Sequence, residues 1–377
     1  MLNTFSPGLK GVIAAQTRLS HIDGERGQLT IGGCSLDDLA PNATYEEALY
    51  LLLNDRLPTA AQLADFRAEL AALRHLPEVT LAVIREAVGR GDAIMDVLRA
   101  AAATLPTTGD PRTDGLRAAA AFPLIVGGAW RVRQGHDPLA QVAAGGHAAA
   151  YLAALTGTDP SPAAQRALET YLITVIDHGL NASTFTARVI ASTGSDLISA
   201  VVGAVGALKG PLHGGAPGPA LQLVREIGSA ERAEPVLRAM FERGELLMGF
   251  GHRVYRVRDP RADVLGAEAE RLFTTDGDRA LYDLARHVEA VALRLFEEYK
   301  PGRRIQTNVE FYTALLLNGL RLDPDLFAPT FAVGRAGGWV AHALEQIAAG
   351  KIIRPTSEYT GETNRPWIPL EERTPSA

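Results

Sequence analysis

The sequence predicts an all-α protein. Apolar residues return every three or four positions over long stretches, a helix-opening capping box is present, and segments that alternate apolar with polar residues are scarce. The clearest helix spans Arg279 to Tyr299. Leu281, Leu284, Val288, Val291 and Leu295 recur at helical steps, while Arg286, Glu289, Arg294 and Glu297 fall elsewhere.

In chain order, Gln28 to Gly32 reads as a short strand or merely extended chain. Thr44-Tyr45-Glu46-Glu47 has the form of a capping box, in which hydroxyl and carboxylate satisfy the first free N–H groups; Tyr45, Leu49 and Leu52 then share a face. The segment Ser195 to Gly210 predicts a helix with Asp196 in its first turn and small residues at Ser199, Gly203, Gly206 and Gly210. Glycine inside a helix costs about 1 kcal/mol relative to alanine, which implies a backbone packed closely on another element. That element is either a symmetry mate or a neighbour in a crowded core. A last helix runs through Trp339, Ala343, Leu344 and Ile347 and stops at Gly350. Lys351 to Arg354 reads as a short strand or extended chain, and beyond it periodicity is lost in an irregular arm. Polar Gly/Pro loops lie at 107–115 and 156–162, and Lys209 to Pro219 is a candidate hinge.

The 377 residues allow two domains of roughly 100–200 residues each. With 47% apolar and 21% charged residues the chain should fold around a sizeable core, and its net charge of -6 gives no reason to expect a nucleic-acid partner. Cys34 stands alone, so no intrachain disulfide and no CxxC pair exists. The first residues lack the pattern of a secretory signal, and the most apolar stretch, 198–208, is shorter than the ~20 residues a membrane span needs. A soluble cytoplasmic protein is expected.

Nine histidines are present, without HxxxH or HExxH spacing, so metal catalysis has little support. His75, His136, His147 and His287 read as ordinary surface or core residues. Three others have unusual settings. His213 sits in GPLHGGA and His252 in GFGHRVYRVRDPRA, where glycines let a ligand approach the backbone. His178 follows Asp177 and precedes Gly179-Leu180-Asn181. Asp259-Pro260 opens a helix and places Arg261 in its first turn. Glu310, in NVEFY, is either a base with a pKa raised by apolar neighbours or a carboxylate stabilised at a helix N-terminus.

The order and spacing of GPLHGGA, GFGHRVYRVRDPRA and NVEFY resemble the citrate synthase family. The likeness extends through GLKGVIAAQTRLSHIDGERG near the start, DHGLNASTFTARVIAST (177–193), FAVGRAGGWVAH (331–342) and IIRPTSEYTG (352–361), covering nearly the whole chain. It implies an all-α homodimer with a large domain, residues 1–214 and 321–377 including a C-terminal arm, and a small domain at 215–320. The site would lie in the cleft between them. It further implies that Glu310 removes a methyl proton from acetyl-CoA, that His213 donates to the thioester oxygen, and that His252 donates to the carbonyl of oxaloacetate. The oxaloacetate dianion would be held by Arg261, Arg335 and Arg354, with His178 assisting and Arg354 reaching the partner subunit's site. CoA would lie along Leu212, Met248, Gly249, Phe250, Gly251 and Asn308, with Arg256 either at a phosphate or a solvated surface residue. No cofactor or metal is implied.

One departure is central. The family usually has aspartate where Glu310 stands, and the extra methylene bears on rate and substrate choice. Cys34 also replaces an aromatic residue often found there, and Arg256 stands where lysine is common. Two alternatives follow: 2-methylcitrate synthase, using propionyl-CoA, and a non-catalytic binding or regulatory member.

Overall fold

The computed structural model describes residues 5–138, 145–214, 217–252, 254–275 and 279–373. The chain divides into two compact units, Met1–Gln16 with Ile353–Ala377, and Thr17–Ile352. Among the described residues the first unit has only two single-turn 3-10 helices, Pro7–Leu9 and Leu370–Glu372. Its C-terminal part is the irregular arm expected beyond Arg354. No strand forms at 351–354.

The second unit begins with a three-stranded antiparallel meander, β1 (Ser20–Asp23), β2 (Gln28–Ile31) and β3 (Cys34–Ser35), in register Ser20↔Ile31 and Thr30↔Ser35. Helices follow: α1 Leu36–Asn42, α2 Tyr45–Asn54, α3 Ala60–Leu73, α4 Glu78–Gly89, α5 Ile94–Ala102, α6 Pro111–Arg133, α7 His147–Thr156, α8 Pro162–Ile176, α9 Ala182–Ala191 and α10 Leu197–Leu208. The remainder are α11 Pro217–Ile227, α12 Ala230–Glu242, α13 Pro260–Thr275, α14 Arg279–Tyr299, α15 Val309–Gly319 and α16 Phe327–Ala349. The fold is all-α, as expected. Among the described residues no helix is long and apolar enough to cross a membrane. Of the expected domain boundaries, Gly215 lies outside the described residues.

Local chemistry explains the helix ends. Thr44 and Glu47 form the capping box at α2, and Gly350 closes α16 in the left-handed conformation. Asp196 caps α10 by accepting the Ser199 N–H at 2.8 Å. The small face of α10 serves two purposes. Gly203 leaves room for Ile190 of α9, whereas a Cβ at Gly206 would meet nothing within 4 Å.

The core is organised around α16, which packs on α6, α8 and α9. It is buried at all but one position from Phe327 to Ala343. Its glycines allow this. A Cβ on Gly334 would stand 2.6 Å from Val175, and one on Gly338 would fall on the Ile176 carbonyl oxygen. The last turn of α8, which leads into Asp177 and His178, is thereby pressed against the turn of α16 that carries Arg335.

Candidate active site

Two segments of the chain are zipped together beside His252. Phe250 and Thr307 form an antiparallel bridge, Gly251 N–H donates to Gln306 O at 2.8 Å, and Asn308 N–H donates to Gly249 O at 3.0 Å. The Asn308 side-chain amide adds a bond to Gly251 O at 2.8 Å. Gly249 and Gly251 have φ of 91° and 81°, which favours glycine, and a Cβ on Gly249 would stand 3.0 Å from the Phe311 ring. These glycines let the His252 loop reach the start of α15.

The tautomer of His252 follows from its neighbours. Nδ1 accepts the backbone N–H groups of Val254 and Tyr255 at 3.0 and 3.1 Å. Those groups only donate, so the proton of the neutral ring sits on Nε2. Nε2 lies 3.2 Å from Nη2 of Arg261, which has no lone pair to offer. Both are donors, and together they complement an oxygen acceptor rather than each other. Burial, then the Arg261 charge, takes His252 down to about 4, so it is neutral near pH 7.

Arg261 is buried and gripped by Asp259, with Nε to Oδ1 at 3.0 Å and Nη2 to Oδ2 at 2.8 Å. The same carboxylate accepts the Arg261 N–H at 3.1 Å and the Val309 N–H at 3.1 Å. One aspartate thus ties the first turns of α13 and α15 together, and the next residue is Glu310. The Glu310 N–H donates to Asn308 Oδ1 at 3.0 Å, while among the described residues no donor reaches its carboxylate. Its side chain keeps partial access, yet desolvation pushes it up to about 7. Arg261 and Arg335 lower it, and Asp259 adds to the rise.

Behind this corner stands Glu289 of α14. It accepts from Thr307 Oγ1 at 2.6 Å, Tyr312 Oη at 2.6 Å, Arg258 at 2.7 Å and Arg286 at 3.2 Å. Burial alone would raise its pKa, but the two hydroxyls and Arg258 outweigh it and hold Glu289 below the usual range. It braces the segments on both sides of the His252–Glu310 corner.

His178 completes the inner wall. Its Nε2 lies 3.2 Å from Tyr255 Oη, and its ring meets His252 edge-on at 5.8 Å. Burial, then the charges of Arg261 and Arg335, keep it well below the usual histidine range. Asp177 before it pairs with His342 Nε2 at 3.0 Å. Arg335 is buried, donates Nε to Val175 O and lies over the Phe331 ring at 4.6 Å. Burial lowers it to about 10, so it remains cationic near neutrality.

His213 approaches from the end of α10. Its Nε2 faces Ser183 Oγ at 2.8 Å and the Ser183 N–H at 3.3 Å. Trp339 Nε1 donates to the same hydroxyl at 3.1 Å. The hydroxyl proton has two acceptors within reach, Asn181 Oδ1 and His213 Nε2. The Ser183 N–H can only donate, which makes Nε2 an acceptor and leaves the ring proton on Nδ1. Burial, then the Arg335 charge, lowers His213 to about 4.

His178, His252, Arg261 and Glu310 are therefore brought together, with Arg335 and His213 in electrostatic reach. Met248 is half-buried, Phe250 is buried and Leu212 is fully exposed. Arg256 is exposed and lines a cavity of about 520 Å³ with Gly251, His252, Arg303 and Arg304. Arg354 is exposed and belongs to the terminal unit. Among the described residues no three His, Cys, Asp or Glu side chains are grouped to hold a metal.

A family model described as citrate synthase, C-terminal domain, matches residues 8–356. The chain is 38% identical to the citrate synthase of Haloferax volcanii over 97% of its own length and 98% of that protein. It is 36% identical to the 2-methylcitrate synthase of Shewanella oneidensis, covering 97% of each. The chain belongs to the citrate synthase family. Among solved family structures, that of Thermoplasma acidophilum, a ternary complex with carboxymethyl coenzyme A and oxaloacetate, matches at a TM-score of 0.88 with 29% identity, over 98% of this chain and all (100%) of that one. The Thermotoga maritima enzyme matches at a TM-score of 0.86 with 34% identity, over 98% and 100%.

Several residues of this family member escaped sequence reasoning. Ser183 lies inside a block singled out for its histidine, and nothing local marks a serine as an imidazole partner. Tyr255 and Asp259 stand in the His252 block, where only the helix-opening role of Asp259 is readable. Glu289 reads as one polar residue on an amphipathic helix, and its burial depends on chain far away in sequence. Arg303 and Arg304 look like an ordinary charged loop.

Proposed function

We propose that this chain is a citrate synthase, condensing acetyl-CoA with oxaloacetate and hydrolysing the citryl thioester to citrate and CoA. The observation that carries the proposal is the facing donor pair, His252 Nε2–H and Arg261 Nη2, with the elevated carboxylate of Glu310 in electrostatic reach of Arg261. Two donors meeting at 3.2 Å suit the oxygen of a keto acid, and their pull on it makes the adjacent carbon electrophilic. Glu310, near its own pKa at neutrality, removes a proton from the acetyl methyl group. Neutral His213, its proton on Nδ1, donates a hydrogen bond to the thioester oxygen as the enolate forms. A neutral donor suits this step because it stabilises the oxygen without surrendering a full proton.

The carboxylates of oxaloacetate would be taken by Arg261 and Arg335, with His178 alongside, and by Arg354 from a partner subunit. We place CoA along Leu212, Met248–Gly251 and Asn308, with its phosphates near Arg256. The proposal includes the small domain at residues 215–320, closing over the substrates, and a homodimer, supported by the open face at Gly206 of α10. It calls for no cofactor.

Likeness to a 2-methylcitrate synthase at 36% identity supports a second reading, in which propionyl-CoA is the better substrate. One methylene in an apolar pocket is worth only ~1–3 kcal/mol. Thiol release from acetyl-CoA and propionyl-CoA, each with oxaloacetate, decides between them through kcat/KM. A higher value for acetyl-CoA upholds the proposal, a higher value for propionyl-CoA favours the second reading, and no release from folded protein refutes both.

A further inference from the structure

Four helices, α2, α3, α7 and α8, surround a cavity of about 420 Å³ lined by Glu46, Arg67, Arg74, Gln165, Glu169 and the Gly145–Gly146 backbone. It shares no residue with the histidine–arginine cluster. Two of its carboxylates are buried, and each uses one oxygen to cap a helix. Glu46 Oε1 takes the His147 N–H at 2.6 Å at the start of α7, and Glu169 Oε2 takes the Tyr45 N–H at 2.6 Å at the start of α2. The remaining oxygens, Glu46 Oε2 and Glu169 Oε1, are buried without a hydrogen-bond partner, and so is Nε of Arg74. Arg74 spends Nη1 on Gly145 O at 2.7 Å, and its Nη2 lies 3.6 Å from Glu46.

The two open oxygens converge beside Gly146. A Cβ there would lie 3.2 and 3.5 Å from the two Glu46 oxygens and 3.6 Å from Glu169 Oε1, so glycine keeps a side chain out from between them. Buried polar atoms without partners cost free energy that a suitable ligand recovers. Water supplies hydrogen bonds but does not relieve the repulsion that would arise if both carboxyls were ionised. An ammonium group does both, and Arg74 Nε then calls for a carboxylate close by. We infer that this cavity is a second small-molecule site, binding a compact zwitterion with its ammonium between Glu46 and Glu169 and its carboxylate on Arg74. The chemical class is a small amino acid.

A proton accompanies binding. The charged groups around Glu169 are Glu46 of α2, Arg67 and Arg74 of α3 and its end, and Arg166 of α8; His147 of α7, stacked on Tyr45 at 4.2 Å, is held neutral by burial. Burial, then the Glu46 charge, pushes Glu169 up to about 8, so without a cation it keeps its proton at neutral pH. An ammonium placed between the carboxylates favours the ionised form, and the proton leaves to solvent.

Isothermal titration of the full chain with glycine near pH 7, in two buffers of different ionisation enthalpy, tests this. Methylammonium and acetate serve as half-ligands. Glycine should give saturable heat and release close to one proton per molecule bound, methylammonium should bind more weakly, and acetate should not bind. Glu46→Gln and Glu169→Gln should each weaken glycine roughly tenfold or more. Gly146→Ala, which keeps both carboxylates but places a methyl 3.2 Å from Glu46 Oε1 and fills the gap, should do the same in folded protein. Absence of saturable heat with glycine overturns the site. So does binding without proton release, or binding that survives Glu169→Gln and Gly146→Ala in folded protein.

Discussion

If Glu310 is the base, its burial must appear in the pH dependence of turnover. An exposed glutamate, with an ordinary value of 4.5, would be fully ionised above pH 6 and give a flat profile. At about 7, Glu310 is about one-tenth ionised at pH 6 and about nine-tenths ionised at pH 8, so kcat/KM should rise about tenfold between them. The sign is fixed, because only the carboxylate accepts the methyl proton and activity must fall as pH falls through that value. His213 and His252 do not blur the limb, since both lie near 4 and stay neutral across this range. Thiol release followed from about pH 5.5 to about pH 8.5 gives the profile, with buffers matched in ionic strength. Glu310→Asp draws the carboxylate back toward the N-terminus of α15, where dipole and N–H groups favour the ionised form, and should move the limb to lower pH. Glu310→Gln should remove it along with most of the activity. A flat wild-type profile, or a limb that persists unchanged in Glu310→Asp, would refute the assignment.

Four further expectations follow from named contacts. Glu289→Gln weakens four hydrogen bonds, although Arg258 keeps Asp263 and Arg286 is half exposed, and should cost about 2 kcal/mol in urea unfolding; it should also lower kcat more than it raises KM, because Thr307 and Tyr312 lose a charged anchor beside Glu310. Gly338→Ala drives a methyl into the Ile176 carbonyl, so a loss toward the upper end of ~1–3 kcal/mol is expected, with a raised KM for oxaloacetate as the Arg335 turn lifts from α8. Native Glu169 holds its proton to about pH 8 while the unfolded chain loses it near 4.5, so stability should fall as pH rises between those values, by at most ~1.4 kcal/mol per unit; Glu169→Gln should flatten that fall, and an unchanged slope would contradict the burial argument. Arg354→Ala should nearly abolish turnover while leaving the proposed dimer intact by light scattering, and full activity would remove Arg354 from the proposed site.

Amphipathic surface helices are readable from sequence because one face is apolar and the other is not. Helix α14 shows this, with Val288, Val291 and Leu295 buried where the three-and-four spacing puts them. Helix α6 is not readable in the same way. From Ala118 to Ala129 it is buried on every side, so its sequence carries no periodic contrast to detect. The glycines of α10 signal close packing, and the structure divides them, Gly203 against α9 and Gly206 facing open space. The site residues are marked by their sequence blocks, but their tautomers are not. Whether His252 donates from Nε2 depends on two backbone N–H groups, whose directions follow from the turn after Gly251 and from no side chain.

Glu310 shows how competing readings of one residue are settled by magnitude. Its place in the first turn of α15 is visible in the sequence, and that position stabilises a carboxylate by typically ~0.3–1 kcal/mol. Its surroundings are not visible there, because Asp259, Arg261 and Arg335 arrive from two other helices and their approaches. Taken alone, two arginines and a helix N-terminus would push the carboxyl down. Desolvation exceeds them together, and the value moves from 4.5 to about 7, a net cost to the charged form of about 3 kcal/mol. Both influences act on Glu310, and the stronger, burial, sets its pKa. A carboxylate destabilised by that amount is a stronger proton acceptor than one resting at an ordinary helix start, and this is the property the proposed base needs against a weakly acidic methyl group.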